Sequence, residues 1–226
     1  MTQTHPEPPR TKELLLVLAL QLILTGVLVH TADVTGLMGL LPALVGAVFI
    51  LLPVVALDRS DRAYGRYGLV LTNPLRELLP VAITTVVTCA PIAAFVLLFP
   101  GIWGVQRDWS PVWPPGYAQV AAAHFLLVAL PEEFFYRGYL LGRLDDRWPP
   151  RWLLLGVPVG AGLPLSAGLF AMGHFVASPS PDRLLVFFPA LVFGWLRAKR
   201  KNIAAPVLYH GCCNIFMDLF RAGFGL

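Results

Sequence analysis

The sequence contains little charge. Of its 226 residues, 17 are Lys or Arg and 13 are Asp or Glu, so 13% are charged, whereas 57% are hydrophobic. A mean hydropathy of +0.69 is typical of a membrane protein and excludes an ordinary soluble domain. The chain has no polar block long enough for a soluble domain, no internal repeat and no low-complexity segment. The composition therefore predicts one integral domain in the lipid bilayer.

Cysteine is also scarce. The three cysteines are Cys89, in a long apolar run, and the neighbours Cys212 and Cys213, which would point about 100° apart on a helix. Because there is no C-x-x-C pair, neither a thiol-based zinc site nor a disulfide framework is indicated. The H-E-x-x-H signature of zinc proteases is absent as well.

Long apolar runs are abundant. A hydrocarbon core about 30 Å thick requires roughly 20 apolar residues in a helix. The sequence predicts an all-α polytopic transmembrane bundle of about seven spans, at residues 14–29, 36–57, 78–99, 117–144, 159–178, 182–198 and 203–219. Residues 1–13 form a short tail before the first span. No A-x-A cleavage site follows that span, so we interpret it as a retained anchor and residues 14–226 as a single membrane domain.

Lys and Arg are distributed unevenly along the chain. With a cytoplasmic N-terminus, 13 of the 17 fall in cytoplasmic segments, and the outer segments contain only Arg107, Arg183 and Arg221. We predict this orientation because cytoplasmic loops collect basic residues. The net charge of +4 then reflects membrane topology and does not indicate a nucleic-acid partner.

The stretch PEEFFYRGYLLGRL at residues 131–144 places Glu132, Glu133 and Arg137 in the interior of the fourth predicted span, whereas Arg143 lies at its cytoplasmic end. A charge at mid-bilayer costs roughly 2.5–3.5 kcal/mol on insertion scales, so these side chains must face protein or water. Glu133 and Arg137 are four residues apart and can form a structural ion pair on one helix face. Arg137 then pairs with Glu133 and leaves Glu132 without a cation. A carboxylate inside a membrane span can act as a base. Pro131 favours a kink beside a cavity.

Two other polar clusters lie at similar depths. Phe170 and His174 are one helical turn apart, and so are His210 and Asn214. At 1.5 Å per residue, Glu132 lies about 18 Å, His174 about 20 Å and Asn214 about 17 Å from the cytoplasmic ends of their helices. This agreement requires residues 152–160 to lie mostly outside the transmembrane helix. The two Pro and three Gly of GVPVGAGLP, residues 156–164, favour such a break. The depths predict one polar cavity at mid-membrane.

The patterns E-E-x-x-x-R at 132–137, F-x-x-x-H at 170–174 and H-x-x-x-N at 210–214 occur in this order on successive predicted helices. Together they resemble the three motifs of the CPBP family, intramembrane endopeptidases that include CAAX prenyl proteases and bacterial Abi-type proteins. The resemblance covers about residues 118–219. Within it, the segment PEEFFYRGYL resembles the myxosortase-like branch, which is proposed to process C-terminal sorting tails. It implies an integral protein of a bacterial inner (cytoplasmic) membrane.

The resemblance implies an endopeptidase that cleaves a peptide bond near a membrane-embedded or lipidated C-terminal segment of a membrane-anchored protein or peptide. Glu132 would be the general base that activates a water, and His174 would hold that water or shuttle the proton. His210 and Asn214 would stabilise the oxyanion of the tetrahedral intermediate.

The same resemblance leaves the role of a metal open. The glutamate-type mechanism, which we favour, needs no cofactor. In it, Glu133 and Arg137 would fix the geometry of the pair of carboxylates formed by Glu132 and Glu133. In the metal-dependent alternative, Glu132, His174 and His210 would bind zinc, with a water in the fourth position.

Two other classes of function remain as alternatives. The first is a non-enzymatic protein, of the immunity type or one that stabilises a partner, which retains the polar pocket. Such a protein would tolerate Glu132→Gln in a functional assay. The second is a proton-coupled transporter, which should show repeats in its two halves, and the sequence contains none.

Overall fold

The computed structural model describes residues 11–59, 63–69, 73–99 and 109–225. Seven long helices lie within these residues: α1 (Thr11–Thr31), α2 (Leu41–Arg59), α3 (Leu78–Leu98), α4 (Tyr117–Arg147), α5 (Gly162–Ala177), α6 (Phe187–Arg200) and α7 (Ala204–Gly223). A short hairpin of β1 (Trp152–Leu154) and β2 (Val157–Val159) separates α4 from α5. The tail predicted for residues 1–13 is described only from Thr11, and Arg10, Arg62 and Arg107 lie outside the described residues.

The predicted all-α membrane bundle is confirmed, and each predicted span coincides with a helix. Within the described residues, four helical segments are long and apolar enough to cross a membrane, namely Thr11–Thr31, Met38–Arg59, Pro74–Leu98 and Tyr117–Arg147. Helix α5 is apolar but has only 16 residues, and α6 has 14, or about 21 Å. The count of seven spans is therefore not confirmed and stays a prediction.

Helix α4 forms the centre of the bundle. It packs against α2, α5, α6 and α7, while α1 packs on α2 and α5, and α3 packs on α7. The aromatic side chains Phe135, Tyr136 and Tyr139 in the middle of α4 are 0–1% exposed. By contrast, α1 and α3 present many exposed Leu, Ile and Val side chains, as expected of helices that face lipid. The motif at residues 131–137 thus lies on the most enclosed helix.

The path of α4 is irregular beside Pro131. Its α-helical turn Leu130–Glu133 lies between two π-helical stretches, His124–Ala129 and Phe134–Leu140. Proline has no N–H to donate and disturbs the hydrogen-bond ladder of a regular helix, and a π-helical stretch is one way to accommodate this disturbance. Because π-helical turns occur frequently at functional sites, this irregularity makes Glu132 and Glu133 candidates for a functional site.

Residues 152–160 lie outside the helices, as the depth comparison requires. In the hairpin, Trp152 pairs with Val159 and Leu154 with Val157, and the turn places Leu155 and Gly156 at positive φ. Helix α5 begins only at Gly162, which places His174 about 18 Å along it. The hairpin therefore sets the depth of His174.

The two ends of the bundle differ in charge. At one end, which we call the basic end, ion pairs join Glu13 to Arg143, Arg66 to Asp146 and Glu77 to Arg200. These pairs bring together the start of α1, the end of α4, the start of α3 and the end of α6. At the opposite end, His30 of α1 bonds the carbonyl of Val176 in α5. The basic residues thus cluster at one end of the bundle, and the cytoplasmic position of the N-terminus stays a prediction.

Candidate active site

Glu133 and Arg137 form a buried ion pair on α4. Arg137 Nη1 lies 2.8 Å from Glu133 Oε1, and the two side chains are 1% and 0% exposed. Arg137 Nη2 also donates to the carbonyl of Ala190 on α6, at 3.2 Å. The guanidinium lies 4.3 Å and 4.8 Å from the ring centres of Phe170 and Phe193, within cation–π distance. The pair predicted from spacing is therefore formed, and Arg137 connects α4 to α5 and α6.

His210 of α7 lies between the two glutamates. Its Nδ1 is 2.9 Å from Glu133 Oε1, a hydrogen bond that the nitrogen donates because an ionised carboxylate only accepts. Its Nε2 is 3.8 Å from Glu132 Oε2, too far for a hydrogen bond. The imidazole stacks on Phe193 with ring centres 4.7 Å apart. His210 is therefore held in one orientation and faces Glu132 with its second nitrogen.

His174 of α5 is oriented by its own helix. Its Nδ1 lies 3.1 Å from the carbonyl oxygen of Phe170, which can only accept, so this nitrogen carries the proton. The two rings lie 4.4 Å apart, and Phe170 also contacts Tyr136 edge to face. Nε2 of neutral His174 is therefore the nitrogen that can accept a hydrogen bond. The F-x-x-x-H spacing thus fixes both the ring and its tautomer.

Glu132 and His174 line the same cavity, which has a volume of about 270 Å³. Glu132 comes from α4 and His174 from α5, and their side chains are half-buried, in contrast to the fully buried Glu133. Within the described residues, Glu132 Oε2 is buried without a hydrogen-bond partner. This oxygen is therefore free to accept a hydrogen bond from a group inside the cavity.

Asn214 does not join this constellation. Its side chain is half-buried, has no hydrogen-bond partner in the described part of the chain and is not part of the cavity wall. A second cavity of about 590 Å³, between α3, α6 and the hairpin, contains none of the six predicted site residues. The structure thus brings five of the six together and places Asn214 one helical turn beyond His210.

Three polar residues of the cavity were not among the predicted site residues. Gln21 of α1, which is fully buried, donates from Nε2 to Thr25 at 3.3 Å and accepts from the Tyr136 hydroxyl at 3.3 Å. All three line the cavity with Glu132. A glutamine inside a predicted span is a signal that was present in the sequence, since intramembrane polar side chains are costly. Helices α1 and α2 therefore contribute to the site.

Gly173 allows Tyr136 to approach α5. A Cβ atom at Gly173 would lie 2.6 Å from the Tyr136 hydroxyl oxygen, closer than real contacts allow. Any larger residue at position 173 would displace the hydroxyl from Gln21 and change the cavity beside His174. Gly173, the residue before His174, is thus needed for the close packing of Tyr136 against α5.

A zinc ion would need several ligand side chains close together. Among the residues that the structure describes, no group of three or more His, Cys, Asp or Glu side chains converges closely enough to hold a metal ion. The metal-free mechanism and the zinc alternative with Glu132, His174 and His210 both stay predictions.

A comparison with known families identifies the part of the chain that carries this site. Residues 114–216 match the family model of type II CAAX prenyl endopeptidase Rce1-like proteins. Over these residues the chain is similar to the CAAX endopeptidases. The match confirms the resemblance drawn from the three motifs and implies peptidase activity, while the myxosortase-like branch stays a prediction.

The family match covers a little less than half of the chain and begins just before α4. Helices α1 to α3 lie outside it, although α1 and α2 line the cavity that contains Glu132 and His174. No curated protein and no solved structure matches the chain. The apolar helices and the similarity to a family of membrane endopeptidases support an integral membrane protein.

Proposed function

We propose that this CAAX-type endopeptidase uses Glu132 as the general base that activates a water, without a metal ion. The observation that carries the proposal is the shared cavity of Glu132 and His174, two side chains that come from different helices. A general base must lie within hydrogen-bond reach of the proton that it removes. Glu132 Oε2 has no competing partner among the described residues and meets this requirement for a water in the cavity.

Two hydrogen-bond acceptors hold this water. One of its protons points to the Glu132 carboxylate and the other to Nε2 of His174, whose Nδ1 is occupied by the Phe170 carbonyl. With both protons engaged, an oxygen lone pair is directed at the substrate. Glu132 takes one proton as the oxygen attacks the scissile carbonyl carbon. The same carboxyl group then returns the proton to the leaving amine nitrogen, and the peptide bond breaks.

The buried pair behind the cavity keeps Glu132 in place. Arg137 neutralises Glu133, so that the two adjacent glutamates bring one uncompensated negative charge rather than two. His210 is fixed by Glu133 and faces Glu132 with Nε2, at 3.8 Å from Oε2. This geometry favours His210 as a positioning residue that is held by Glu133 and packs beside Glu132, in place of the oxyanion role that the resemblance implies for it.

The cavity wall suits an apolar substrate segment. Most of its lining is Val, Leu, Pro, Ala and Phe, and its polar groups are Glu132, His174 and the cluster of Gln21, Thr25 and Tyr136. Apolar side chains of a membrane-anchored protein or peptide can fill such a space while the amide and hydroxyl groups bind its main chain. We therefore propose cleavage near a membrane-embedded or lipidated segment.

The test compares Glu132→Gln with Glu77→Gln. Both replace a carboxylate by an amide of the same size, but Glu77 binds Arg200 at the basic end, away from the cavity. Membrane proteins from cells that make each variant are compared by mass spectrometry for new termini. We expect Glu132→Gln to lose cleavage by at least about 10²-fold, the usual contribution of a general base, and Glu77→Gln to retain it.

Folding is checked separately by the yield and elution of each variant in detergent. Wild-type cleavage by a well-folded Glu132→Gln protein would refute the mechanism. Full biological function of that variant, with no new termini in the wild type, would support the non-enzymatic alternative instead.

A further inference from the structure

The cavity that contains Glu132 extends toward one end of the bundle only. Its lining includes Val29 near the end of α1, Leu41 and Pro42 at the start of α2, and Ala177 at the end of α5. These four residues lie within one helical turn of a helix end. They belong to the end where His30 bonds the carbonyl of Val176, opposite the basic end.

No part of the lining approaches the basic end. At 1.5 Å per residue, Gln21 lies about 15 Å from the start of α1, Phe49 about 15 Å from the end of α2 and Tyr136 about 16 Å from the end of α4. Between Tyr136 and the basic end, residues 140–144 of α4 are buried by neighbouring helices and leave no open path. The cavity therefore runs from the middle of the bundle to the end opposite the basic residues.

The distribution of Lys and Arg indicates which side of the membrane each end of the bundle faces. The basic end contains Lys12, Arg59, Arg66, Arg76, Arg143, Arg147, Arg151, Arg197, Lys199, Arg200 and Lys201 among the described residues. Only Arg183 and Arg221 of the described basic residues belong to the opposite end. Cytoplasmic segments collect Lys and Arg, so the basic end faces the cytoplasm. The mouth of the cavity then faces the extracytoplasmic side.

We propose that the active-site cavity opens to the extracytoplasmic side of the membrane. The substrate class that fits is a membrane-anchored protein whose scissile bond lies in the outer half of the bilayer, next to an apolar segment. Such a protein would enter between the outer ends of α1, α2 and α5. The term substrate rests on the proposed function above, whereas the side of opening rests on the cavity and the charges alone.

Cysteine accessibility tests the opening without any use of catalysis. In a background in which Cys89, Cys212 and Cys213 are replaced by alanine or serine, Thr25→Cys places a thiol on the cavity wall. Leu24→Cys is the matched control, because Leu24 has the same depth on α1 but is 40% exposed on the lipid-facing side. Arg147→Cys marks the basic end. A charged, membrane-impermeant methanethiosulfonate is added to intact right-side-out vesicles or to inside-out vesicles.

We expect Thr25→Cys to react at least roughly tenfold faster in right-side-out than in inside-out vesicles, and faster than Leu24→Cys, because the reagent needs a thiolate in water. Arg147→Cys should show the reverse side preference. Reaction of Thr25→Cys only from the inside, or from neither side while Arg147→Cys reacts normally, would overturn the proposal.

Repeating the labelling with Glu132→Gln separates the two proposals. Labelling that is unchanged in a catalytically dead variant supports the opening whether or not the mechanism holds. If Glu132→Gln retains cleavage, the mechanism fails while the labelling result still decides the side of access.

Discussion

Replacement of Arg137 by alanine should destabilise the protein strongly. The variant leaves Glu133, which is 0% exposed, without the cation 2.8 Å away. Breaking a buried ion pair by removing one partner costs about 3–5 kcal/mol, because an uncompensated charge remains in a low-dielectric interior. The lost contacts to Phe170 and Phe193 and to the Ala190 carbonyl add to this cost. The expected decrease in Tm is roughly 6–20 °C, at about 2–4 °C per kcal/mol for a chain of this size.

Arg66→Ala is the matched control for this experiment. Arg66 also forms an ion pair, with Asp146 at 2.6 Å, but its side chain is 49% exposed. Solvent screens such a pair, which contributes about 0–1 kcal/mol. Thermal unfolding in detergent and protein levels in membranes are measured for both variants. The buried arginine should cost at least about 2 kcal/mol more than the exposed one.

The double variant Glu133→Gln with Arg137→Met tests the cause of the destabilisation. It removes both charges and keeps the volume of the two side chains, and the glutamine oxygen can still accept from His210 Nδ1. Most of the stability lost in Arg137→Ala should return, because neutral replacement of a buried pair is often tolerated. A double variant no more stable than Arg137→Ala, or an Arg137→Ala protein as stable as Arg66→Ala, would refute the reasoning from the buried charge.

Four further predictions follow from the geometry. Gln21→Leu should lower the cleavage rate and cost roughly 0.6–2 kcal/mol of stability, because it removes the bonds to Thr25 and Tyr136; unchanged kinetics and Tm would contradict this. Asn214→Ala should lower kcat by less than about tenfold, since its side chain lies outside the cavity, whereas a 10²–10³-fold loss would support the oxyanion role. Purified enzyme should keep its activity in EDTA, and loss that Zn²⁺ restores would favour the metal alternative. A reporter fused after Lys201 should be cytoplasmic and one after Ser178 external, and the reverse would invert the topology.

Much of the fold could be predicted because it is encoded locally. A run of about 20 apolar residues predicts a membrane helix wherever it occurs, and Pro and Gly at 156–164 indicate a break before α5. The pair of Glu133 and Arg137 follows from a spacing of four residues on one helix. The orientation of His174 is local as well, since its partner is the carbonyl of Phe170, one turn earlier.

The number of spans could not be decided in the same way. Helices α6 and α7 have apolar faces, but they also contain buried polar residues such as Arg197 and His210, which pack against other helices. Helices that are covered by protein need not be apolar all round or long enough to reach both bilayer surfaces. Hydropathy alone therefore does not decide whether such helices cross the whole membrane.

The sequence by itself determined which polar residues lie inside the bundle and at what depth, because depth depends only on position along a helix. Which of these side chains meet was decided by the tertiary structure. His210 reaches Glu133 across 77 residues, and Gln21 reaches Tyr136 across 115. Each contact depends on how two helices are rotated about their axes, and one residue changes that direction by about 100°. Packing around α4 sets those rotations, and so it brought α1 into the site and left Asn214 outside the cavity.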